Sequence, residues 1–208
     1  MIWLVRLALL LTLVTIAGDL AAMLSVEGYD PVRQTISELA AGDGQRFEDP
    51  ALVALALSLL VTCILLFRHG DGGGENWKRI AGLGFLLLMA ATVLVIAFWD
   101  AYDAPGSAMA EGSFALTAHR KMVWVLGGAF FGATTLLAAR LGRLGGSWRR
   151  TASLVLAFAW LLTAPVFFFV PTDIDGLGER GLAALVILWI WLAATSAVPP
   201  LAERRPGA

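Results

Sequence analysis

Long apolar stretches separated by short polar segments make up almost the whole of this 208-residue chain. A helix that crosses the hydrocarbon core of a membrane needs about 20 mainly apolar residues. Six stretches come close to or meet that length, so the pattern predicts an all-α integral membrane protein, a six-helix bundle in a single domain (1–208). The predicted spans are residues 2–25, 51–67, 78–99, 120–140, 151–170 and 181–198.

The composition supports this class of protein. Hydrophobic residues make up 59% of the chain and the mean hydropathy is +0.78, whereas soluble domains are about 45–50% apolar. The first apolar stretch is too long for the hydrophobic region of a signal peptide, and no clear cleavage site precedes Asp19. We therefore expect the first stretch to be retained as a membrane helix.

Charge alternates between the two sides of the predicted bundle. If the N-terminus, the second and fourth loops and the C-terminal tail share one side, that side holds ten basic and three acidic residues. The other side then holds five basic and twelve acidic residues. Basic loops remain in the cytoplasm. The distribution predicts a multi-pass protein of the cell membrane with both termini cytoplasmic.

The first polar segment, GYDPVRQTISELAAG (28–42), has the pattern of a short amphipathic helix. Asp30 is a good N-cap, and the proline and glycine that follow suit the first helical position and the helix end. These signals predict an external lid helix over residues 31–41, with an apolar stripe along one side. Ser37 and Glu38 are expected to face the bundle.

Polar residues also mark the external ends of the predicted spans. Asp19 is the one carboxylate clearly inside an apolar stretch, and an ionised group there needs a partner or a proton. The other polar residues lie at a similar depth, in the lid and the external loops. The predicted ligand site consists of Asp19, Arg33, Gln34, Ser37, Glu38, Asp100, Asp103, His119, Arg120, Asp173 and Arg180.

Several chemistries fit these residue types. Carboxylates and an imidazole can bind a divalent cation, for which Asp19, Asp103 and His119 are candidate ligands, although no metal-binding spacing accompanies them. Ser37, Glu38, Asp103 and His119 are candidate catalytic residues for hydrolysis or group transfer. These patterns leave open whether the protein is an enzyme, and no motif identifies a cofactor.

The motif in residues 28–42 resembles that of a bacterial and archaeal six-helix membrane family, domain of unknown function nine-nine-eight (DUF998). Its members typically carry Gly-Tyr-x-Pro-Val-Arg-x-x-Ile-Ser-Glu-Leu after the first helix, and the chain matches every specified position. Weaker similarity follows at DAPG (103–106), at His119 and at GLGERGLAALVILWIW (176–191). The resemblance implies a six-helix bundle that is distantly similar to the DRAM and Frag group, which is linked to lipid organisation and remodelling.

Three functions are compatible with these patterns. The first is a polar pocket in the outer leaflet that binds the headgroup of a lipid or other amphiphile, with lipid hydrolysis or transfer as an extension. The second is a non-catalytic accessory subunit that docks a partner protein through its external loops, and the third is a small-solute transporter. Membrane lipids are the expected partners, and nucleic acid is not expected to bind. The oligomeric state is not indicated.

Overall fold

The computed structural model describes residues 1–40, 42–69, 76–98, 114–170 and 172–197, with only the backbone described for 114–117. These residues form helices and contain no strand. The helices are α1 (Ile2–Ser25), α2 (Ile36–Ala40), α3 (Gln45–Arg68), α4 (Asn76–Phe98), α5 (Phe114–Gly145), α6 (Ser147–Phe169) and α7 (Asp175–Ser196).

Every helix except α2 contains a segment that is long and apolar enough to cross a membrane. This confirms the predicted fold class, a membrane bundle with six long apolar helices. The helix α3 differs from the predicted span 51–67 because it starts six residues earlier, at Gln45, and continues through Pro50. A proline removes one intrahelical hydrogen bond. The additional turns of α3 pack against α1, where the carbonyl of Phe47 would lie 3.0 Å from a side-chain atom added at Gly18.

Consecutive long helices pack side by side and run in opposite directions. The helix α1 packs on α3, α3 on α4, α4 on α5, α5 on α6, and α6 on α7, which also contacts α1, α3 and α5. The bundle therefore has two ends. We call the end where α1 finishes and α3 begins the cap end, because α2 lies there, and the other end the opposite end.

Apolar side chains fill the centre of the bundle and also cover much of its outside. Leu59, Leu86, Phe130 and Trp189 are fully buried in the main cluster, whereas many large hydrophobic side chains on the outer faces are exposed. The candidate spans of α1 and α6 are the least buried, at 22% each. An exposed apolar surface of this kind is the surface that lipid chains cover in a membrane.

Arginine side chains bind helix C-termini at the opposite end. Arg140 is 5% exposed and donates through Nη2 to the carbonyl of Leu66, at 2.6 Å. Arg149 donates through Nη1 to the carbonyl of Leu192, at 2.9 Å. The last carbonyls of a helix lack intrahelical partners and carry partial negative charge. Part of the basic charge seen in the sequence therefore stabilises the ends of α3 and α7.

Candidate functional site

Residues 29–40 form a cap segment over the cap end, and their structure differs from the predicted lid helix. The helix in this segment is only five residues long, Ile36–Ala40, and residues 31–34 form turns. The predicted helix over 31–41 is therefore wrong in length. The reason is a capping box: Thr35 Oγ accepts from the amide of Glu38 at 3.1 Å, and the Glu38 carboxylate accepts from the amide of Thr35 at 2.8 Å. This reciprocal pair starts the helix at residue 36.

The side chains of the cap segment divide differently from the predicted amphipathic stripe. Leu39 is 2% exposed, but Val32 is 43% exposed. Ser37 faces the bundle, as expected, whereas Glu38 is exposed and occupied by the capping box. Asp30 caps a turn instead of the helix, since its Oδ1 accepts from the amide of Val32 at 3.0 Å.

The start of α7 is joined directly to the cap segment. The amides of Gly176 and Leu177 donate to the carbonyls of Arg33 and Val32, at 3.3 and 3.0 Å. These amides belong to the first turn of α7, where no intrahelical acceptor exists. A side chain at Gly176 would meet the carbonyl oxygens of the cap segment, among them Pro31 at 2.7 Å. The absence of a side chain at this position therefore permits the contact.

A carboxylate and a guanidinium pair beneath the cap segment. Arg180 of α7 donates through Nε and Nη2 to the two carboxylate oxygens of Asp19, at 3.2 and 3.1 Å. The side chains are 16% and 20% exposed respectively. This two-bond geometry is the strongest common form of ion pair between side chains. It provides the partner that a carboxylate inside α1 requires.

Arg180 also holds the cap segment in place. Its Nη1 donates to the carbonyls of Pro31 and Gln34, at 3.2 and 3.1 Å, and its Nη2 donates to the hydroxyl of Tyr29 at 2.8 Å. Burial raises the pKa of Tyr29 above its ordinary value of 10.0, although Arg180 opposes this shift. The phenol therefore stays protonated at neutral pH and donates in turn to the carbonyl of Gln34 at 2.8 Å.

A second polar chain joins α2, α5 and α7. Oγ of Ser37 lies 3.1 Å from Nε2 of His119 and donates to Oε1 of Glu179 at 3.1 Å. The other carboxylate oxygen of Glu179 accepts from the amides of Ile36 and Ser37, at 2.6 and 3.4 Å. His119 is 8% exposed. A serine, a histidine and a carboxylate are thus brought together from three separate helices.

The hydrogen bonds among these three residues follow a different order from those in the active site of a serine hydrolase. In a hydrolase the acid binds the histidine, and the histidine accepts the serine proton. Here the acid, Glu179, binds Ser37 directly. A hydroxyl has one proton to donate, so with that proton directed to Glu179, Nε2 of His119 donates to Ser37 Oγ. The arrangement is a hydrogen-bond relay from His119 through Ser37 to Glu179.

A third carboxylate lies beside these two groups. Glu48 in the first turn of α3 is 2% exposed, and no hydrogen-bond partner for its Oε2 lies within the described residues. The charged groups that act on it electrostatically include Asp19, Glu179 and Arg180. The backbones of α1 and α3 approach closely at this level. A side-chain atom added at Gly18 would lie only 3.0 Å from the carbonyl of Phe47.

The structure separates the predicted site residues into two groups. It places Asp19, His119 and Arg180 beneath the cap segment, where His119 contacts Ser37 of that segment. The exposed members of the prediction are Arg33, Gln34, Glu38, Arg120 and Asp173. Asp100 and Asp103 lie outside the described residues. Of the candidate catalytic residues, Ser37 and His119 are in contact, and Glu38 is not part of their chain of hydrogen bonds.

The candidate metal ligands do not form a cluster in the part of the chain that the structure describes. Within it, no group of three or more His, Cys, Asp or Glu side chains is placed to hold a metal ion. Both oxygens of Asp19 bind Arg180, while His119 contacts Ser37. Asp103, the third candidate ligand, lies outside these residues.

Three residues of this region were absent from the predicted site: Tyr29, Glu48 and Glu179. Two signals in the sequence point to part of the arrangement. Thr-x-x-Glu at residues 35–38 is a capping box, and Glu179 is adjacent to Arg180 immediately before the apolar stretch 181–198. Nothing in the sequence indicates that Glu48 is buried, because its position near the start of α3 is typical of a solvated helix end.

Comparison with known families gives one match. Residues 9–196 match the family described as "Protein of unknown function (DUF998)". No curated protein and no solved structure gives a significant match to the chain. The family match covers most of the 208 residues and confirms the resemblance predicted from the motif at residues 28–42. The chain therefore belongs to the DUF998 family of membrane proteins.

Proposed function

We propose that the cap end binds the headgroup of a lipid or other amphiphile in the outer leaflet of the cell membrane. The observation that carries this proposal is the group of ionisable and hydroxyl side chains at the cap end of a largely apolar bundle. Charged groups within a membrane protein are costly, and they commonly mark sites of function. Headgroups lie at the depth where membrane helices end.

The chemistry of the group suits recognition more than hydrolysis. The relay orders Ser37 as a donor to Glu179, which leaves its proton away from His119. A catalytic serine instead donates its hydrogen bond to the histidine, which accepts the proton as the serine attacks. The group contains cationic donors and anionic acceptors, which complement the two charges of a zwitterionic headgroup. Binding is therefore the function we propose, and catalysis is not part of it.

The first test removes one hydroxyl from this group. Ser37→Ala removes the hydroxyl that contacts His119 and Glu179. The loss of one hydrogen bond from this hydroxyl to a charged headgroup, about 1.5 kcal/mol, predicts roughly tenfold weaker binding. The measurement is mass spectrometry of lipids that remain on the purified protein. His119→Gln is also expected to reduce lipid retention.

A matched control is available at the same end of the bundle. Ser25 hydrogen-bonds within its own helix, to the carbonyl of Ala22 at 2.8 Å, so Ser25→Ala is expected to keep the lipid content of the wild type. If Ser37→Ala and His119→Gln both fold and retain wild-type lipid, the headgroup proposal is wrong. The accessory-subunit hypothesis would then be favoured.

The proposed orientation places the cap end outside the cell and both termini in the cytoplasm. Cysteines introduced singly at Gly42 and Ser147 test it, in a Cys63→Ala background. A side chain at Gly42 meets no atom within 4 Å, and Ser147 is exposed at the opposite end. We expect a membrane-impermeant maleimide to label position 42 in intact cells, and position 147 only after permeabilisation. The reverse pattern would overturn the orientation and the outer-leaflet location.

A further inference from the structure

We infer that the cap end selects a primary ammonium group, and that Glu48 is the residue that binds it. This inference rests on the proposed headgroup function and specifies its ligand. Three carboxylates, Asp19, Glu48 and Glu179, lie in this region with the guanidinium of Arg180, and the carboxylate of Asp49 also acts on Glu48 electrostatically. His119 lies on the far side of Ser37. When the carboxylates are ionised, the region carries an excess of negative charge that a cationic ligand group would offset.

The hydrogen bonds of the three carboxylates are unequal. Both oxygens of Asp19 accept from Arg180, and both oxygens of Glu179 accept from donors in α2. Oε2 of Glu48 has no such donor among the described residues, and Glu48 is only 2% exposed to solvent. A buried acceptor without a donor is unfavourable. Of the three, Glu48 is the one with an oxygen available to a ligand.

Only one of these three carboxylates has an oxygen available to a ligand, and this number determines which class of cation the site can bind. Calcium takes six to eight oxygen ligands, several of them usually carboxylate oxygens, whereas Asp19 and Glu179 are already engaged. A primary ammonium has three N–H donors, and one carboxylate is enough to neutralise its charge. A quaternary ammonium has no N–H donor and leaves Oε2 of Glu48 unsatisfied. The chemistry therefore favours a primary amine.

Access to Glu48 requires a local rearrangement, because the residue is buried in this structure. We assign this rearrangement to the cap segment, whose helix α2 contacts α3. The segment is held by polar contacts of Arg180 and Glu179 to its backbone. Such contacts can be exchanged for contacts with a polar headgroup at small net cost, since each is replaced by another hydrogen bond. The ligand would therefore enter between the cap segment and the ends of α1 and α3.

The test compares headgroups that differ only in N-methylation. Delipidated full-length protein in detergent is titrated with phosphatidylethanolamine, its mono- and dimethyl forms, and phosphatidylcholine, all with the same acyl chains, and binding is followed by native mass spectrometry. We expect affinity to fall stepwise with each methyl group and by about tenfold or more over the series, as N–H donors are lost. Water-soluble phosphoethanolamine is titrated in parallel. Binding of phosphoethanolamine as well as of the lipid would identify a water-soluble amine, and not only a lipid headgroup, as a ligand of this site.

Glu48→Gln keeps the volume of the side chain and removes its charge. We expect this variant to lose the preference for the unmethylated headgroup, and Glu27→Gln, which changes an exposed carboxylate at the same end, to retain it. If Glu48→Gln does not fold, the methylation series on the wild type decides the question. Equal affinity across the series, an unchanged preference in Glu48→Gln, or stabilisation by calcium or magnesium alone would overturn the ammonium inference. Failure of the wild type to bind any lipid would overturn the headgroup proposal as well.

Discussion

Replacing Arg180 by methionine is expected to lower the free energy of unfolding by about 3–5 kcal/mol. The substitution leaves the carboxylate of Asp19 inside the bundle without its two N–H donors, which lie at 3.2 and 3.1 Å in the native protein. It also removes the donors to the carbonyls of Pro31 and Gln34. Unfolding in mixed micelles of increasing denaturing detergent measures the loss.

Two further variants distinguish the effect of losing the ion pair on stability from the effect of losing one positive charge. The double variant Asp19→Asn with Arg180→Met leaves no carboxylate at position 19, so it is expected to recover a large part of the stability. Arg33→Met removes an arginine that is 70% exposed and 3.8 Å from Asp30, and exposed pairs of this kind contribute about 1 kcal/mol or less. Equal losses in Arg180→Met and Arg33→Met would contradict the assigned role of the pair.

Gly176→Ala is expected to displace the cap segment from α7. The added methyl group would meet the backbone carbonyls of Gln34 and Pro31, and no change of side-chain rotamer can relieve a contact between a Cβ atom and backbone. Overpacking at well-packed sites costs about 1–3 kcal/mol. We expect the amides of Ile36 and Ser37, which bind Glu179, to exchange hydrogen at least about tenfold faster.

The matched control is Gly181→Ala, five residues further along α7. An added side chain at Gly181 meets no atom within 4 Å, and alanine in a helix interior is favoured over glycine by about 0.5–1 kcal/mol. This variant is therefore expected to leave amide exchange in the cap segment unchanged and to keep or slightly raise the stability. Similar exchange in both variants would show that contact at Gly176 does not hold the cap segment.

The apolar pattern of the sequence determines the membrane class, the number of long helices and their approximate positions. This is possible because a spanning helix must be apolar along its whole length, which is a local property of the sequence. The family resemblance is also local, since it depends on one continuous motif at residues 28–42. The start of α2 could have been predicted as well, from the capping box formed by Thr35 and Glu38.

The partners of the polar side chains are decided by the tertiary structure alone. Ser37 and Glu179 are 142 residues apart in the chain, and Asp19 and Arg180 are 161 apart. Any of several acidic and basic residues at the same depth satisfies the local pattern equally well, so the sequence does not choose among them. The choice depends on which helices are neighbours and on their rotation, both of which follow from close packing of the whole bundle. For the same reason the burial of Glu48 emerges only when α1, α3 and α7 are assembled around it.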